Sequence, residues 1–345
     1  MKSELPPLVD AANLGEYLDG RLPGNGAFTV ERHLAGHSCE TFRIGRSGRT
    51  WILRRPPRGA FLPSAHDVGR EYTVLRGLAG TQVRAPEPFL MCDDETVIGA
   101  PFYVMEYVDG NVIRSELPEE FGAPERKRIG EELVDALVEL HAVDPDPCGL
   151  GSFGKPFGYL ERQLRRWTGQ LELTLPMTRP IPDLERAGEW LRNHLPSESA
   201  HTIVHGDYKL DNVAFSRGAP ARLVAIFDWE MATLGDPLAD LGWMISFWKE
   251  AGDPADDVFA ELNRVTTLPG FSRRADLVRR YEAGTGRSAE ALVWYEVLAT
   301  WKLAILLEGS YARHLAGATD DPFFAEMEYR VPALARRAVD RAGRA

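Results

Sequence analysis

Four residues between positions 200 and 230 carry the chemistry this sequence could do. Asp207 and Asn212 stand five positions apart in the stretch His-Thr-Ile-Val-His-Gly-Asp-Tyr-Lys-Leu-Asp-Asn (201–212), and Lys209 lies between them. Asp228 follows the apolar run Leu-Val-Ala-Ile-Phe (223–227). Transfer of a phosphoryl group from a nucleotide needs such a set. One carboxylate orients the acceptor hydroxyl, while an amide and a second carboxylate hold the metal ion that bridges the phosphates. A single Asp or Asn is an ordinary turn former. The three together, at this spacing and between apolar strands, are a chemical constellation.

Positioning these side chains takes short strands and tight turns. Thr202 to Val204 is β-branched and apolar, so it reads as a strand stub leading into a loop opened by Gly206. Val213 to Phe215 resumes extended structure, 216–220 supplies a turn, and Leu223 to Phe227 is a fully apolar strand. The resulting hairpin is expected to return Asp228 beside Asn212, and their oxygens suit Mg²⁺, a hard cation.

The order His205-Gly-Asp207-x-x-x-x-Asn212…Asp228 repeats the catalytic and metal-binding pattern of protein kinases. Over "VHGDYKLDN…IFDWEMATLGDPLADLGW" the chain resembles the aminoglycoside phosphotransferase family, the small-molecule branch of the protein-kinase-like fold. More narrowly, it is similar to the kinase-like domains joined to acyl-CoA dehydrogenases in animals. The resemblance runs from about residue 25 to about 320. It implies an α+β, two-lobed kinase-like fold: a small antiparallel sheet with one helix over 1–107, and a larger, mainly helical lobe over 108–345. It also implies ATP or GTP as phosphoryl donor, Mg²⁺ as the metal and a small hydroxyl-bearing acceptor. By position, Asp207 would take or hold the acceptor proton, Lys209 would reach the transferring phosphoryl, and Asn212 and Asp228 would bind Mg²⁺. His205 would brace the loop. Fold and chemistry are shared by enzymes with many acceptors, so the resemblance leaves the acceptor open.

The N-terminal part reads as a helix over Leu8 to Leu22 and then strands at Phe28 to Leu34, Glu40 to Ile44 and Thr50 to Arg55, with a hairpin turn at 45–48. In the loop 35–39, Gly36 would allow close backbone approach and Ser38 could donate to a phosphate oxygen. In kinases the third strand carries a Lys that meets the α/β-phosphates and pairs with a Glu on the next helix. Here Arg54 fills that place, and Glu71, on a helix opening near His66, is its expected partner. Arg keeps its charge and can fork onto phosphate oxygens and a carboxylate. Arg55 should face the other way, since adjacent strand residues alternate. Strands are expected at Glu87 to Cys92 and Pro101 to Tyr107. The segment Tyr103 to Gly110 resembles a hinge whose backbone at Glu106 and Val108 would meet the adenine edge.

Helices are expected at Pro124 to His141, Tyr159 to Leu171, Asp183 to Leu195, Pro237 to Trp248, Arg273 to Ala283, Ala289 to Leu307 and Pro322 to Arg341, the last broken at Pro332. His141 is expected to be a packed, hydrogen-bonded histidine. Arg162 and Arg166 read either as an anion-binding wall of the acceptor site or as a solvated helix face. Asp236 and Asp240 read as capping carboxylates at a helix start.

Composition narrows the classes. With 44% hydrophobic residues, the 345-residue chain supports a substantial core. Forty basic against 51 acidic residues give a net charge of −11, which argues against a nucleic-acid partner. Cys39, Cys92 and Cys148 are odd in number and far apart, a pattern that fits a reducing cytoplasm rather than a disulfide scaffold. The N-terminal residues lack the apolar core of a signal peptide, and no run of about 20 apolar residues suits a membrane span. Monomer and homodimer stay equally open. Two further readings remain: a non-catalytic nucleotide-binding pseudokinase, kept open by Arg54, and a protein Ser/Thr kinase. The second is disfavoured because no Ala-Pro-Glu segment follows Asp228 and the stretch to Pro237 is too short for an activation loop.

Overall fold

The computed structural model describes residues 8–33, 39–57, 67–155, 157–253, 264–319 and 321–344. The chain divides into two compact units. The first is Met1–Gly110 with Val224–Ala232, and the second is Asn111–Leu223 with Thr233–Ala345.

The first unit opens with helix α1 (Ala11–Leu18), whose free N–H groups at Ala12 and Asn13 are capped by the Asp10 carboxylate. An antiparallel sheet of five strands follows, ordered β1-β2-β3-β5-β4: β1 (Thr29–His33), β2 (Glu40–Arg46), β3 (Arg49–Arg55), β4 (Pro88–Cys92) and β5 (Phe102–Glu106). Ser47 and Gly48, with φ of 50° and 75°, make the two-residue turn between β2 and β3. Two consecutive left-handed residues match the right-handed twist of the paired strands. Alternation places Phe42, Ile44, Trp51 and Leu53 on one face, where they form a core with Leu14 and Leu18 of α1. Helix α2 (Val68–Leu78), capped by Asp67, carries Val68, Glu71, Val74, Leu75 and Leu78 on its buried side. Tyr72, next to Glu71 on the same helix, is only half-buried.

The second unit is built on α3 (Ala123–His141), α4 (Tyr159–Thr174), α5 (Pro182–Asn193), α6 (Leu238–Phe247), α7 (Arg274–Thr285), α8 (Leu292–Leu315) and α9 (Met327–Ala342). Helix α9 continues through Pro332 rather than breaking there. Its stripe Val331, Leu334, Ala335, Ala338 and Ala342 is buried, which outweighs the one backbone hydrogen bond a proline removes. β6 (Thr202–Val204) pairs antiparallel with β9 (Thr233–Gly235), a strand the sequence reading did not contain. β7 (Val213–Phe215) leads into a turn closed by Ser216 N–H donating to the Arg222 carbonyl at 2.8 Å. β8 (Leu223–Ile226) begins in the second unit and carries the chain into the first.

Helices α6 and α8 meet at Gly242. A β-carbon there would lie 2.6 Å from Tyr295 Cβ and 2.8 Å from its carbonyl carbon, neither of which can swing away. Gly242→Ala is therefore expected to destabilise the chain by roughly 1–3 kcal/mol through overpacking. Thermal denaturation tests this, and an unchanged midpoint would mean that the two helices separate without cost. Among the described residues no helix is long and apolar enough to cross a membrane, and all three cysteines are free thiols.

Candidate active site

In the second unit the loop after β6 brings Asp207, Lys209 and Asn212 together. The Asn212 amide donates from Nδ2 to the Asp207 carbonyl at 2.9 Å and to Asp207 Oδ2 at 2.6 Å. Lys209 Nζ stands 3.3 Å from the same Oδ2, 3.6 Å from Asp211 and 5.4 Å above the Phe247 ring. With Nδ2 committed twice, Asn212 Oδ1 is left as an oxygen ligand of the kind a hard cation prefers.

This loop is braced from beneath. Asp240 accepts from His205 N–H at 2.7 Å and from Gly206 N–H at 2.8 Å, and its Oδ2 lies 3.2 Å from His141 Nε2. The other nitrogen of His141 meets the Tyr281 hydroxyl at 2.8 Å. His141 is thus the packed, hydrogen-bonded residue expected from its place at the end of α3. Burial alone would raise the Asp240 carboxyl, but the His141 hydrogen bond, the nearby imidazoles and the Gly206 N–H hold it below the ordinary carboxylate range. Asp240 therefore does not cap α6; it anchors the loop. Asp236 does serve the helix start, accepting from Leu238 N–H at 2.9 Å and from the Ser199 N–H and hydroxyl. His205 is fully buried, and its Nδ1 accepts from Asp207 N–H at 3.2 Å.

One residue beside Asp207 escaped the sequence reading. Lys302, on α8, is only 9% exposed and donates from Nζ to the Gly206 carbonyl at 2.8 Å. It lies over Trp243 (4.4 Å to the ring centroid) and Trp167 (5.6 Å). Burial pushes its ammonium down to about 8, against the pull of Asp207 and Asp240. The available signal was a lone lysine in the apolar run Ala-Thr-Trp-Lys-Leu-Ala-Ile-Leu-Leu. Arg162 is spent on the loop carbonyls of Lys155 and Phe157, while Arg166 lies over the Trp167 ring at 5.1 Å.

In the first unit Arg54 meets Glu71 at 2.8 Å, and the pair is buried. The second arm of the Arg54 guanidinium reaches Asp228 Oδ1 at 3.4 Å. Glu71 Oε1 also accepts from Trp229 N–H at 3.3 Å, which ties the residue after Asp228 to α2. Burial holds the Glu71 carboxyl above its ordinary range against the opposing Arg54 charge. Asp228 itself has φ of 64°, a left-handed conformation uncommon for a residue with a side chain and a recurrent feature of functional sites. Its carboxylate is partly exposed, a second oxygen donor suited to Mg²⁺. Asn212 belongs to the second unit and Asp228 to the first.

Arg55 faces away from Arg54, as strand alternation predicts. It is buried and donates to the carbonyls of Leu8 and Ile98, so its role is to hold the fold. Arg54→Ala is therefore expected to weaken nucleotide binding by about tenfold or more, the loss of one charge-assisted contact. Arg55→Ala should instead lower the melting temperature and leave the affinity of the folded fraction near that of the unmutated chain. Isothermal titration beside thermal denaturation separates the two, and equal losses of affinity would refute the strand register as a guide to binding.

The backbone expected at the adenine edge lies at the end of β5. Glu106 is exposed, its N–H donates to the Glu87 carbonyl at 2.8 Å, and its carboxylate accepts from Glu87 N–H at 3.2 Å. Val108 N–H makes no hydrogen bond among the described residues. Gly36 and Ser38 lie outside the described residues.

A five-stranded antiparallel sheet with its helix, joined to a helical unit that carries the Asp-Lys-Asn loop, defines a protein-kinase-like phosphotransferase fold. The chain belongs to the phosphotransferase enzyme family, whose model matches residues 29–277. It is 32% identical over 341 residues to acyl-CoA dehydrogenase family member 11 of Gallus gallus, covering 96% of this chain and 43% of that protein. It is 33% identical over 308 residues to family member 10 of Mus musculus, covering 88% and 28%. The chain thus spans less than half the length of these relatives, which carry such a kinase-like domain. Among solved structures, a provisionally assigned aminoglycoside phosphotransferase from Ralstonia eutropha JMP134 superposes with a TM-score of 0.83 at 32% identity, covering 97% and 98% of the two chains. Macrolide 2′-phosphotransferase type I, at 18% identity, TM-score 0.60 and coverage of 94% and 99%, shares the fold.

Proposed function

We propose that this chain transfers the γ-phosphoryl group of ATP, or of GTP, to a hydroxyl of a small acceptor. The observation that carries the reading is the Asp207 carboxylate, held by Asn212 at 2.6 Å with Lys209 at 3.3 Å, a carboxylate and a cation poised on one loop. Asp207 accepts the acceptor's hydroxyl proton as its oxygen attacks the γ-phosphorus, and Lys209 offsets the charge that develops on the transferring group. The bond from the γ-phosphorus to the bridging oxygen breaks, and the nucleoside diphosphate leaves. Arg54 meets the nucleotide phosphates, oriented by Glu71, with Ser38 as a further phosphate donor and the Glu106 and Val108 backbone at the base. Asn212 and Asp228 would hold Mg²⁺, which would supply positive charge against the nucleotide phosphates.

In this reading Met1–Gly110 with Val224–Ala232 serves the nucleotide, and the remainder carries the catalytic loop, Asn212 of the metal pair and the acceptor site. The acidic net charge of −11 supports a small-molecule partner over a nucleic acid, and the free thiols support a cytoplasmic setting. Similarity to acyl-CoA dehydrogenase family members 10 and 11 favours a hydroxyacyl compound over an antibiotic. One feature favours a second reading, a nucleotide-binding module without turnover: Arg54 stands where kinases carry Lys. Thermal shift with ATP and GTP, with and without Mg²⁺, tests the donor half. A phosphorylation screen of hydroxyacyl compounds, sugars, choline-like amines and aminoglycosides tests the acceptor half. Absence of any nucleotide-dependent shift sinks both readings; a shift without a product in the screen selects the second.

A further inference from the structure

The peptide joining Gly206 to Asp207 is held at both ends. Its carbonyl oxygen accepts from Lys302 Nζ at 2.8 Å, and its N–H donates to His205 Nδ1 at 3.2 Å. The peptide before it is tied down as well, through Gly206 N–H on Asp240 Oδ1 at 2.8 Å. Gly206 has φ of 83°, a conformation that glycine enters freely and also leaves freely. The plane of this peptide fixes the direction in which the Asp207 side chain leaves the backbone. Without its clamps, the most permissive residue in the loop would let that plane turn.

We propose that Lys302 is the positioning residue for Asp207: its ammonium, seated between Trp243 and Trp167, locks the Gly206–Asp207 peptide and so aims the carboxylate at the acceptor hydroxyl. The inference rests on the reading of Asp207 as the base. A cation suits the place better than a neutral donor. Two indole faces attract it at 4.4 and 5.6 Å, and the carboxylates of Asp207 in the loop and Asp240 on α6 add their field. Arg166 on α4 and Lys209 in the loop oppose it, and burial brings the ammonium down to about 8. Below that pH the clamp carries its charge. As pH rises through it, the proton leaves, the attraction to the rings and carboxylates fades, and the peptide is released.

The test uses the full chain with MgATP and water as the acceptor, reading ADP release across a pH series, with MgATP affinity measured separately. The unmutated chain should lose turnover as pH rises through about 8. Lys302→Met should lower kcat by on the order of 10²-fold, the effect of a misplaced reacting group, with MgATP affinity within about twofold. Lys302→Arg should recover most of kcat and shift the alkaline decline upward, because a guanidinium stays charged. A folded Lys302→Met with unmutated kcat overturns the proposal, as does a decline near pH 8 that persists in Lys302→Arg. Should Lys302→Met not fold, flat turnover of the unmutated chain from about pH 7 to about pH 9.5 overturns it by itself. Asp207→Asn, run in parallel, separates the two levels. If it keeps full ADP release, the reading of Asp207 as base has failed and this inference falls with it.

Discussion

Asp207→Asn is expected to fold, to bind Mg-nucleotide with unmutated affinity, and to lose roughly 10²–10⁴-fold in phosphoryl transfer. The substitution keeps the size and planarity of the side chain, so an amide oxygen can still accept from Asn212 Nδ2, now 2.6 Å from Asp207 Oδ2. The backbone ties from Asn212 to the Asp207 carbonyl and from Asp207 N–H to His205 are untouched. What disappears is the proton acceptor and the negative charge facing Lys209. The nucleotide residues assigned in the first unit are unaltered, which is why affinity should hold while chemistry fails. Transfer of labelled γ-phosphate to an identified acceptor, with a nucleotide titration as control, is the measurement. Unchanged turnover removes Asp207 from its role.

The second large effect belongs to Asp228. Replacing it with Ala should abolish the Mg²⁺ dependence of ATP affinity and, with it, turnover. It is the charged oxygen donor of the proposed pair, and Mg²⁺ draws much of its protein binding from one or two carboxylates. Asn212→Ala should weaken both properties less, because a neutral amide oxygen is the poorer ligand. Asp228 sits at φ of 64°, where Asn and Asp are tolerated and Ala costs about 1–2 kcal/mol. Asp228→Asn therefore accompanies Asp228→Ala as the variant that removes the charge and spares the backbone. A Mg²⁺ titration of ATP affinity for each, with circular dichroism as folding control, decides the matter. A folded Asp228→Asn with unmutated Mg²⁺ dependence means the metal is held elsewhere.

Much of the fold was legible because local patterns and global structure agree. The five strands of the first unit fall within a residue or two of their expected bounds, since β-branched and apolar alternation separated by turn residues has few other readings. Glu71 could be paired with Arg54 from sequence because a strand followed by a helix brings them together, and the structure pairs them at 2.8 Å. Features set by tertiary contact were not legible. Asp240 lies near a helix start, so capping was the natural expectation; only folding shows it 2.7–2.8 Å from the N–H groups of His205 and Gly206. Lys302 stands ninety-five residues beyond Asp207, and no local spacing links the two. β9 is three residues long, too short for periodicity to mark, and exists through its pairing with β6. Arg55 faces away from Arg54 as alternation requires, but alternation assigns a face and says nothing about what covers it.

The first unit is stitched from two stretches, Met1–Gly110 and Val224–Ala232, with 111–223 threaded between them. On a ribosome, which releases the chain from its N-terminus, this unit cannot reach its final form when residue 110 emerges. Glu71 and Arg54 are then available to each other, but Trp229 N–H and the Asp228 carboxylate that complete their surroundings have yet to be synthesised. Closing that loop in sequence carries an entropy cost that must be met before the late contacts repay it. The nascent sheet therefore waits, unfinished, for a nine-residue return segment made long after it. A fragment cut at residue 110 keeps all five strands and lacks the piece that seals their charged pair.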